Sequence, residues 1–377
     1  MSSGLLAAQR DDLAGLAARG RLRALAPRSG VDFASNDYLR LAGSDALAGA
    51  MRAALDRGVP VGSGGSRLLR GNHREHEALE AEAAAFFGSE AALFLSTGFA
   101  ANSALLATLP QRGDLILADR LIHASSHEGM SLSRADHRRV PHNDIAAFAR
   151  AITDWRQGGG MGQVWIAVET LYSMDGDFAP LAQLSELALR EGAILLADEA
   201  HATGIYGPGG RGLVADLPSR DHVISLHTCG KALGVEGALL CGPRAMRDFL
   251  INRARGLIFS TAPSPLIAAV VRAALRIVAD GDVLRDELQA RIAAARTLLA
   301  PLGAQCHGSP IMPLVLGGDV RTMAVAGRLQ AAGFDVRGIR PPTVPEGSSR
   351  LRIVITRNAG LDDIAALARA LREAIVA

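Results

Sequence analysis

The sequence has almost no lysine. Of its 40 basic residues among 377, 39 are arginine and one, Lys231, is lysine. An Arg- and Ala-rich chain can use Arg wherever it needs a solvated cation, so codon bias is the plain explanation. The two residues are not chemically interchangeable, however: Arg stays charged, whereas a buried Lys can lose its proton and form a Schiff base. Keeping a single ε-amine therefore marks Lys231 for covalent or acid–base chemistry. Aromatic residues are scarce at 4%, and there are three cysteines, Cys229, Cys241 and Cys306. These form neither a CxxC pair nor a disulfide framework, which fits a reducing cytosol. No sign of charge dominates: the net charge is +2 and is spread along the chain, which argues against a dedicated nucleic-acid surface. No uncharged apolar run approaches the roughly 18 residues of a membrane span. The first 28 residues, punctuated by Arg10, Asp11, Asp12, Arg19, Arg21 and Arg23, lack the apolar core of a signal peptide. These absences predict a soluble, cytoplasmic protein with neither a nucleic-acid nor a membrane partner.

What is present is an ordinary globular composition, 49% hydrophobic and 21% charged. The length suits one large α/β domain plus a smaller one. Residues 5–25 read as an amphipathic helix, 46–57 as a second and 75–87 as a third. Strand–helix alternation follows. Short apolar runs recur at Ala92–Leu95, Leu115–Ala118, Val164–Val168, Ile194–Ala197, Val223–Leu226 and Ala238–Leu240, bounded by Gly, Asp or Pro. They have the length and bounding of fully buried strands. Helical patterns such as Leu181–Arg190 lie between several of them, and this layout predicts a doubly wound, mostly parallel sheet. Two long helical stretches, 265–280 and 283–300, lead into a strand at 311–316, a helix at 320–332, a strand at 351–355 and a terminal helix after Asp362. The expected division is an N-terminal helical segment (1–45), a large α/β domain (46–275) and a smaller α+β C-terminal domain (276–377).

Two motifs point elsewhere and fail on context. Gly207-Pro-Gly-Gly-Arg-Gly212 satisfies GxGxxG, but it neither closes a strand nor opens a crossover helix, as dinucleotide binding requires. Asp198-Glu-Ala-His201 spells the box of a helicase-type ATPase, yet the only lysine lies outside any GxxxxGK[ST] loop, so no phosphate-cradling partner exists.

The surroundings of Lys231 are more informative. Asp198 ends one predicted strand and His201 follows it by three. Thr228-Cys-Gly-Lys231 follows another. In a doubly wound sheet ligands collect at the carboxyl ends of strands, so both segments reach for the same crevice. A carboxylate and a lone amine so placed suit pyridoxal phosphate (PLP), the Lys bonding its aldehyde and the Asp its pyridinium nitrogen. Ser96-Thr-Gly-Phe99, between a strand and a helix, can cradle the phosphate on backbone N–H groups, and Thr228 can add a hydroxyl. His123, after the strand ending at Ala118, can stack on a cofactor ring. Taken singly, each has a plainer reading: Asp198 as a helix cap, 96–99 as a capped helix start, His123 and His201 as structural histidines.

Together with further landmarks, these residues resemble the α-oxoamine synthases, PLP enzymes of the aspartate-aminotransferase fold type I. The landmarks are Ser35-Asn-Asp-Tyr-Leu39, Gly62-Ser-Gly-Gly-Ser-Arg67, Gly71-Asn-His73, Gly98-Phe-Ala-Ala-Asn102, Asp119 to Ser125, Ser173-Met-Asp-Gly-Asp177, Asp198 to His201, Gly230-Lys231 and Arg340-Pro-Pro-Thr-Val-Pro345. The resemblance spans nearly the whole chain. It implies that Lys231 holds PLP and then shuttles protons, and that Asp198 pairs with the pyridine nitrogen. His201 would hydrogen-bond the phenolic oxygen with Ser173 beside the ring, His123 would stack on its face, and Gly98, Phe99 and Thr228 would hold the phosphate. Arg352 would clamp the amino-acid carboxylate, a task suited to a bidentate guanidinium. Arg23, Arg340 and Thr343, with His123, would serve the acyl substrate, although an exposed Arg23 is equally a solvated cation. Within the family the 339–343 segment and Arg23 favour a member that condenses L-alanine with a pimeloyl thioester, of CoA or of acyl-carrier protein, for biotin biosynthesis. The nearest alternative joins glycine to acetyl-CoA, as 2-amino-3-oxobutyrate CoA ligase does. A homodimer is implied, with 62–67 and Ser260-Thr261 reaching the neighbour's site, and no metal. Two departures stand out: Arg40 where the family carries Gly, and His227-Thr-Cys229 near the lysine.

Overall fold

The computed structural model describes residues 4–376; positions 1–3 and 377 of the expected terminal segments lie outside them. The strands among the described residues are β1 (Val31–Asp32), β2 (Ala91–Leu95), β3 (Leu115–Asp119), β4 (Asp136–Val140), β5 (Val164–Glu169), β6 (Ile194–Asp198), β7 (Val223–Thr228), β8 (Ala238–Gly242), β9 (Ile311–Gly317), β10 (Phe334–Asp335), β11 (Arg337–Ile339) and β12 (Ser349–Val354). The described residues divide into two compact units, one of residues 36–173 and 177–286, the other of residues 4–35, 174–176 and 287–376. The sequence pattern put the later boundary near 275, inside the helix Pro265–Ala279; the division falls instead within the next helix, Asp282–Leu299. It also assigns the N-terminal segment to the C-terminal unit, because β1 pairs in parallel with β10. A two-residue pairing across some 300 positions leaves no local pattern.

The larger unit is built on a seven-stranded sheet of order β2-β8-β7-β6-β5-β3-β4. Only β8 runs antiparallel to its neighbours; the other pairings are parallel. This is the doubly wound, mostly parallel sheet that the strand pattern predicts. Its inner strands are mostly apolar because both faces are covered. β3 sends Leu117 to one core and Ile116 and Ala118 to the other, and β5 likewise sends Ile166 and Val168 one way, Trp165 and Ala167 the other. The edge strand β4 escaped the sequence pattern: Asp136, His137, Arg138 and Arg139 are exposed, and a charged edge protects against further pairing rather than announcing a strand.

The smaller unit carries the antiparallel sheet β11-β12-β9 and the helices Asp319–Ala331 and Leu361–Val376. Its core includes Leu314, Leu329, Leu351, Ile353, Leu367 and Leu371. The first helix, Ala7–Ala18, buries no residue and is shorter than the pattern suggested. It ends in a Schellman turn, in which Gly20 N–H donates to Ala17 O at 3.0 Å and Arg21 N–H to Leu16 O at 2.8 Å.

Candidate active site

The carboxyl ends of β2, β3, β5, β6 and β7 border a cleft of about 300 Å³ within the larger unit. Asp198, the last residue of β6, is 7% exposed there. Its Oδ2 accepts from Asn102 Nδ2 at 2.7 Å and its Oδ1 from Ala200 N–H at 2.9 Å. Asn102 is the polar residue on the buried side of an otherwise apolar helix, Gly98–Thr108, and its amide also donates to Ser125 Oγ at 3.1 Å. Ser125 in turn donates its N–H to His123 Nδ1 at 3.3 Å, with Oγ 2.8 Å from the same nitrogen. Nδ1 is thus an acceptor, which assigns the ring proton to Nε2. Burial holds His123 below the ordinary imidazole value; Asp198 opposes this and Lys231 reinforces it. A hydrogen-bonded chain therefore links Asp198 to a neutral His123 on the cleft wall.

A helix start also lines the cleft. Thr97 caps Gly98–Thr108, accepting from Ala100 N–H at 3.0 Å. The first N–H groups of the helix have no partner within it and lie at its positive end, so they suit an anion. Close approach explains Gly98: a Cβ there would lie 2.5 Å from Thr228 Cγ2. Phe99 meets His123 edge to face at 6.4 Å between centroids. Lys231 follows β7 in a turn, where Gly234 N–H donates to its carbonyl at 2.9 Å, and it lines the cleft half-buried. His201 lines it too, its Nδ1 2.6 Å from the buried Tyr38 hydroxyl. Ser173 is one contact removed: its N–H donates to Glu169 Oε2 at 2.9 Å.

Sequence reasoning gave Asn102, Ser125, Tyr38 and Glu169 no role. The first three lie inside family landmarks but look ordinary as residues. Glu169 carried a signal of its own, a carboxyl closing the apolar strand β5. It pairs in register with Asp198, and its Oε1 is buried without a partner. Burial first, and the Asp198 charge second, push its carboxyl well above the ordinary carboxylate range. Glu199 explains the misleading glycine motif. Fully buried, its carboxyl accepts from Leu213 and Val214 N–H at 2.9 and 2.8 Å. A Cβ at Gly212 would fall 2.3 Å from its Oε2, so Gly212 is there to let this loop close on Glu199.

The other expected residues belong to the smaller unit. Arg23 is exposed, 3.4 Å from Thr343 Oγ1. Arg340 donates to the carbonyl of Gly20. Burial, and then the nearby Arg23 cation, hold Arg340 below the ordinary guanidinium value, so the two cations are close enough to repel. Arg21, two residues before Arg23, is committed to Asp319 and Glu346. Arg352 is buried on β12. Its neighbour Arg350 pairs with Asp175 at 2.6 Å.

A family model for aminotransferases of class I and II matches residues 28–370. The chain is 42% identical to the 8-amino-7-oxononanoate synthase of Azoarcus sp. (strain BH72), covering 98% of this chain and 97% of that one. It is 44% identical to that of Burkholderia cenocepacia (strain HI2424), over 91% and 86%. The solved 8-amino-7-oxononanoate synthase of Francisella tularensis has a TM-score of 0.78 at 28% identity, covering 92% of this chain and 98% of that one. A serine palmitoyltransferase variant from S. paucimobilis, with a bound PLP–myriocin aldimine, shares the fold at a TM-score of 0.89, 23% identity and 98% of each chain. The chain belongs to the class I and II aminotransferase family and, within it, to the 8-amino-7-oxononanoate synthases.

Proposed function

We propose that the chain condenses L-alanine with a pimeloyl thioester, with PLP as cofactor, to give 8-amino-7-oxononanoate, carbon dioxide and the free thiol. One observation carries this reading: the only ε-amine of the sequence lines the same cleft as a buried carboxylate held at both oxygens.

The residues present fit the cofactor. The cleft volume is at the lower end of the roughly 300–1,000 Å³ of small-molecule sites. The helix start at Gly98, left open by the missing Cβ, suits the phosphate, with Thr228 contributing its hydroxyl. When bound, PLP supplies the electron sink that allows bonds at the amino-acid Cα to break heterolytically. Lys231 Nζ would hold the cofactor at its aldehyde and would serve as the base that takes the Cα proton of alanine and later returns one. Asp198 keeps the pyridine nitrogen protonated, and its two hydrogen bonds fix the carboxylate before substrate arrives. His123 would cover the ring face, and His201, with Nδ1 engaged by Tyr38, would offer Nε2 to the phenolic oxygen, with Ser173 supporting Glu169 in the cleft wall. In the smaller unit Arg352 takes the alanine carboxylate, while Arg23, Arg340 and Thr343 serve the free carboxylate of the pimeloyl chain.

The chain also works as a homodimer in this reading. Segments 62–67 and 260–262 are hydrogen-bonded together, Ser63 Oγ to Ala262 O at 2.8 Å and Ala262 N–H to Gly65 O at 2.9 Å. They are flanked by Val61, Leu69 and Phe259, exposed by 68%, 80% and 74%. Light scattering on the purified protein tests this, with twice the 39.3 kDa chain mass expected. No helix of the described residues is long and apolar enough to cross a membrane.

The deciding assay offers alanine with pimeloyl-CoA, alanine with pimeloyl-acyl-carrier protein, and glycine with acetyl-CoA. Turnover with a pimeloyl donor and alanine is expected. Preference for glycine and acetyl-CoA would overturn the substrate assignment and leave the cofactor assignment standing.

A further inference from the structure

Outside the cleft, the described residues hold a second, half-buried polar cluster, at the carboxyl ends of β3 and β4. His142 lies between two carboxylates. Its Nδ1 is 3.0 Å from both oxygens of Asp119, and its Nε2 is 2.7 Å from Asp177 Oδ2. A neutral imidazole has one donor and one lone pair, and a lone pair aimed at a carboxylate is repelled. With both ring nitrogens facing carboxylate oxygens, His142 is an imidazolium.

The two carboxylates are the anchors of two loops. Asp119 is fully buried and also accepts from Leu121 and Asn143 N–H, at 2.8 Å each. It thereby sets the turn Asp119-Arg-Leu-Ile-His123, which ends on the residue facing the cofactor ring. Asp177 closes the other loop, its carbonyl accepting from Tyr172 N–H at 2.9 Å. That loop contains Ser173, which is bonded to Glu169 in the cleft wall. Asn143 Nδ2 adds bonds to Asp177 Oδ2 at 2.9 Å and Phe178 O at 3.1 Å. The Tyr172 ring stands edge-on to the imidazole at 4.4 Å.

We propose that His142 is a positioning residue for the cofactor site, an ionic staple that fixes the loop bearing His123 against the loop bearing Ser173. It touches neither cofactor nor substrate. The proposal rests on the PLP reading above and goes beyond it in naming what holds the ring-facing residues in place.

The charge state gives the staple a pH signature. The titratable groups facing His142 are Asp119, Asp177 and the phenol of Tyr172. Burial opposes the charge, but the bonds and charges of Asp119 and Asp177 outweigh it and push His142 up to about 9. A histidine raised above its ordinary value of about 6.5 contributes fully below that pH and loses its contribution as pH rises through the folded value. The staple is therefore intact at neutral pH and released between about pH 8 and 10.

The test uses holoenzyme and cofactor-depleted protein of the wild type, His142→Gln and Asp177→Asn. The glutamine amide of the first variant can reach one carboxylate but carries no charge. Both variants are expected to bind PLP about tenfold more weakly and to show reduced circular dichroism in the cofactor band, which reports ring orientation. Variants that fold and match the wild type in affinity and dichroism would overturn the proposal. Failure of the PLP reading would look different, because the wild type itself would then lack the band. If neither variant folds, nitrogen-15 spectra of wild-type holoenzyme labelled in histidine decide. A ring protonated at both nitrogens at pH 8, titrating near 9, supports the staple; a neutral His142 at pH 7.5 overturns it.

Discussion

Two polar regions of this molecule are built in opposite ways. In the cleft of the larger unit Asp198 and His201 are buried, and each working group is gripped by a second: Asp198 by Asn102 and Ala200, the more exposed His123 by Ser125, His201 by Tyr38. In the smaller unit Arg23 is exposed and touches Thr343 only at 3.4 Å, while Arg21 is held by the carboxylates of Asp319 and Glu346 at 2.5 and 2.6 Å. Buried, pre-set dipoles act in a low dielectric and need no rearrangement during reaction. Exposed cations are screened by salt and solvent and contribute less. In the proposed reading the pre-set groups carry the chemistry, and the exposed cation Arg23 serves the choice of acyl chain.

Substitutions in each region can break that contrast, and the largest effect is expected at its centre. Lys231→Ala removes both the covalent anchor and the proton shuttle, and activity should fall by at least roughly 10³-fold. The absorbance of the bound cofactor should shift as well; an active variant that keeps the wild-type spectrum would refute the assignment. Next comes Asn102→Ala, which strips Asp198 of a 2.7 Å hydrogen bond. Loss of a bond to a buried charge costs about 1.5–3 kcal/mol, so kcat/KM should drop about 10- to 100-fold with weaker cofactor binding. Arg23→Gln should act on the other side of the comparison, raising KM for the pimeloyl donor by roughly tenfold with kcat nearly unchanged, as loss of uniform binding does. A fall in kcat with constant KM would place Arg23 in the chemistry and erase the distinction. The smallest effect serves as a control beside the cleft. Arg40 has a left-handed backbone, φ 56°, in the turn after Tyr38. Arg40→Gly should relieve about 1 kcal/mol of strain and raise Tm by roughly 2 °C without altering kcat.

The same contrast explains what could be read from the sequence. Strands buried on both faces are apolar in nearly unbroken runs, so β2, β3, β5, β6, β7 and β8 each announced themselves, with ends off by one or two residues. The exposed edge strand β4 and the short β10 and β11 carry no such run. Among the site residues, Lys231 stood out by rarity, and Asp198, His201 and Thr228 by following strands. Asn102, Tyr38 and His142 act through partners far away in sequence, and nothing about an asparagine in an apolar helix says which carboxylate it will meet. The departure at Arg40 is a real one, since the chain places a side chain where the backbone favours glycine. His227, the other departure, is fully buried. It stacks on Phe87 at 3.6 Å between centroids and lies 2.8 Å from both Thr203 Oγ1 and Ser225 Oγ. Thr203 Oγ1 already donates to Glu199 O, so His227 Nδ1–H must donate to Thr203. Burial holds its ring at about 3, neutral at any physiological pH, so the replacement fills a core niche and adds no charge near the lysine.

The central claim is that the single ε-amine of the chain anchors the cofactor. Borohydride reduction of the PLP-loaded protein, followed by peptide mass mapping, tests it most directly. One pyridoxyl adduct per chain is predicted, on the peptide containing Lys231. No adduct, or an adduct confined to the N-terminal amine, would contradict it.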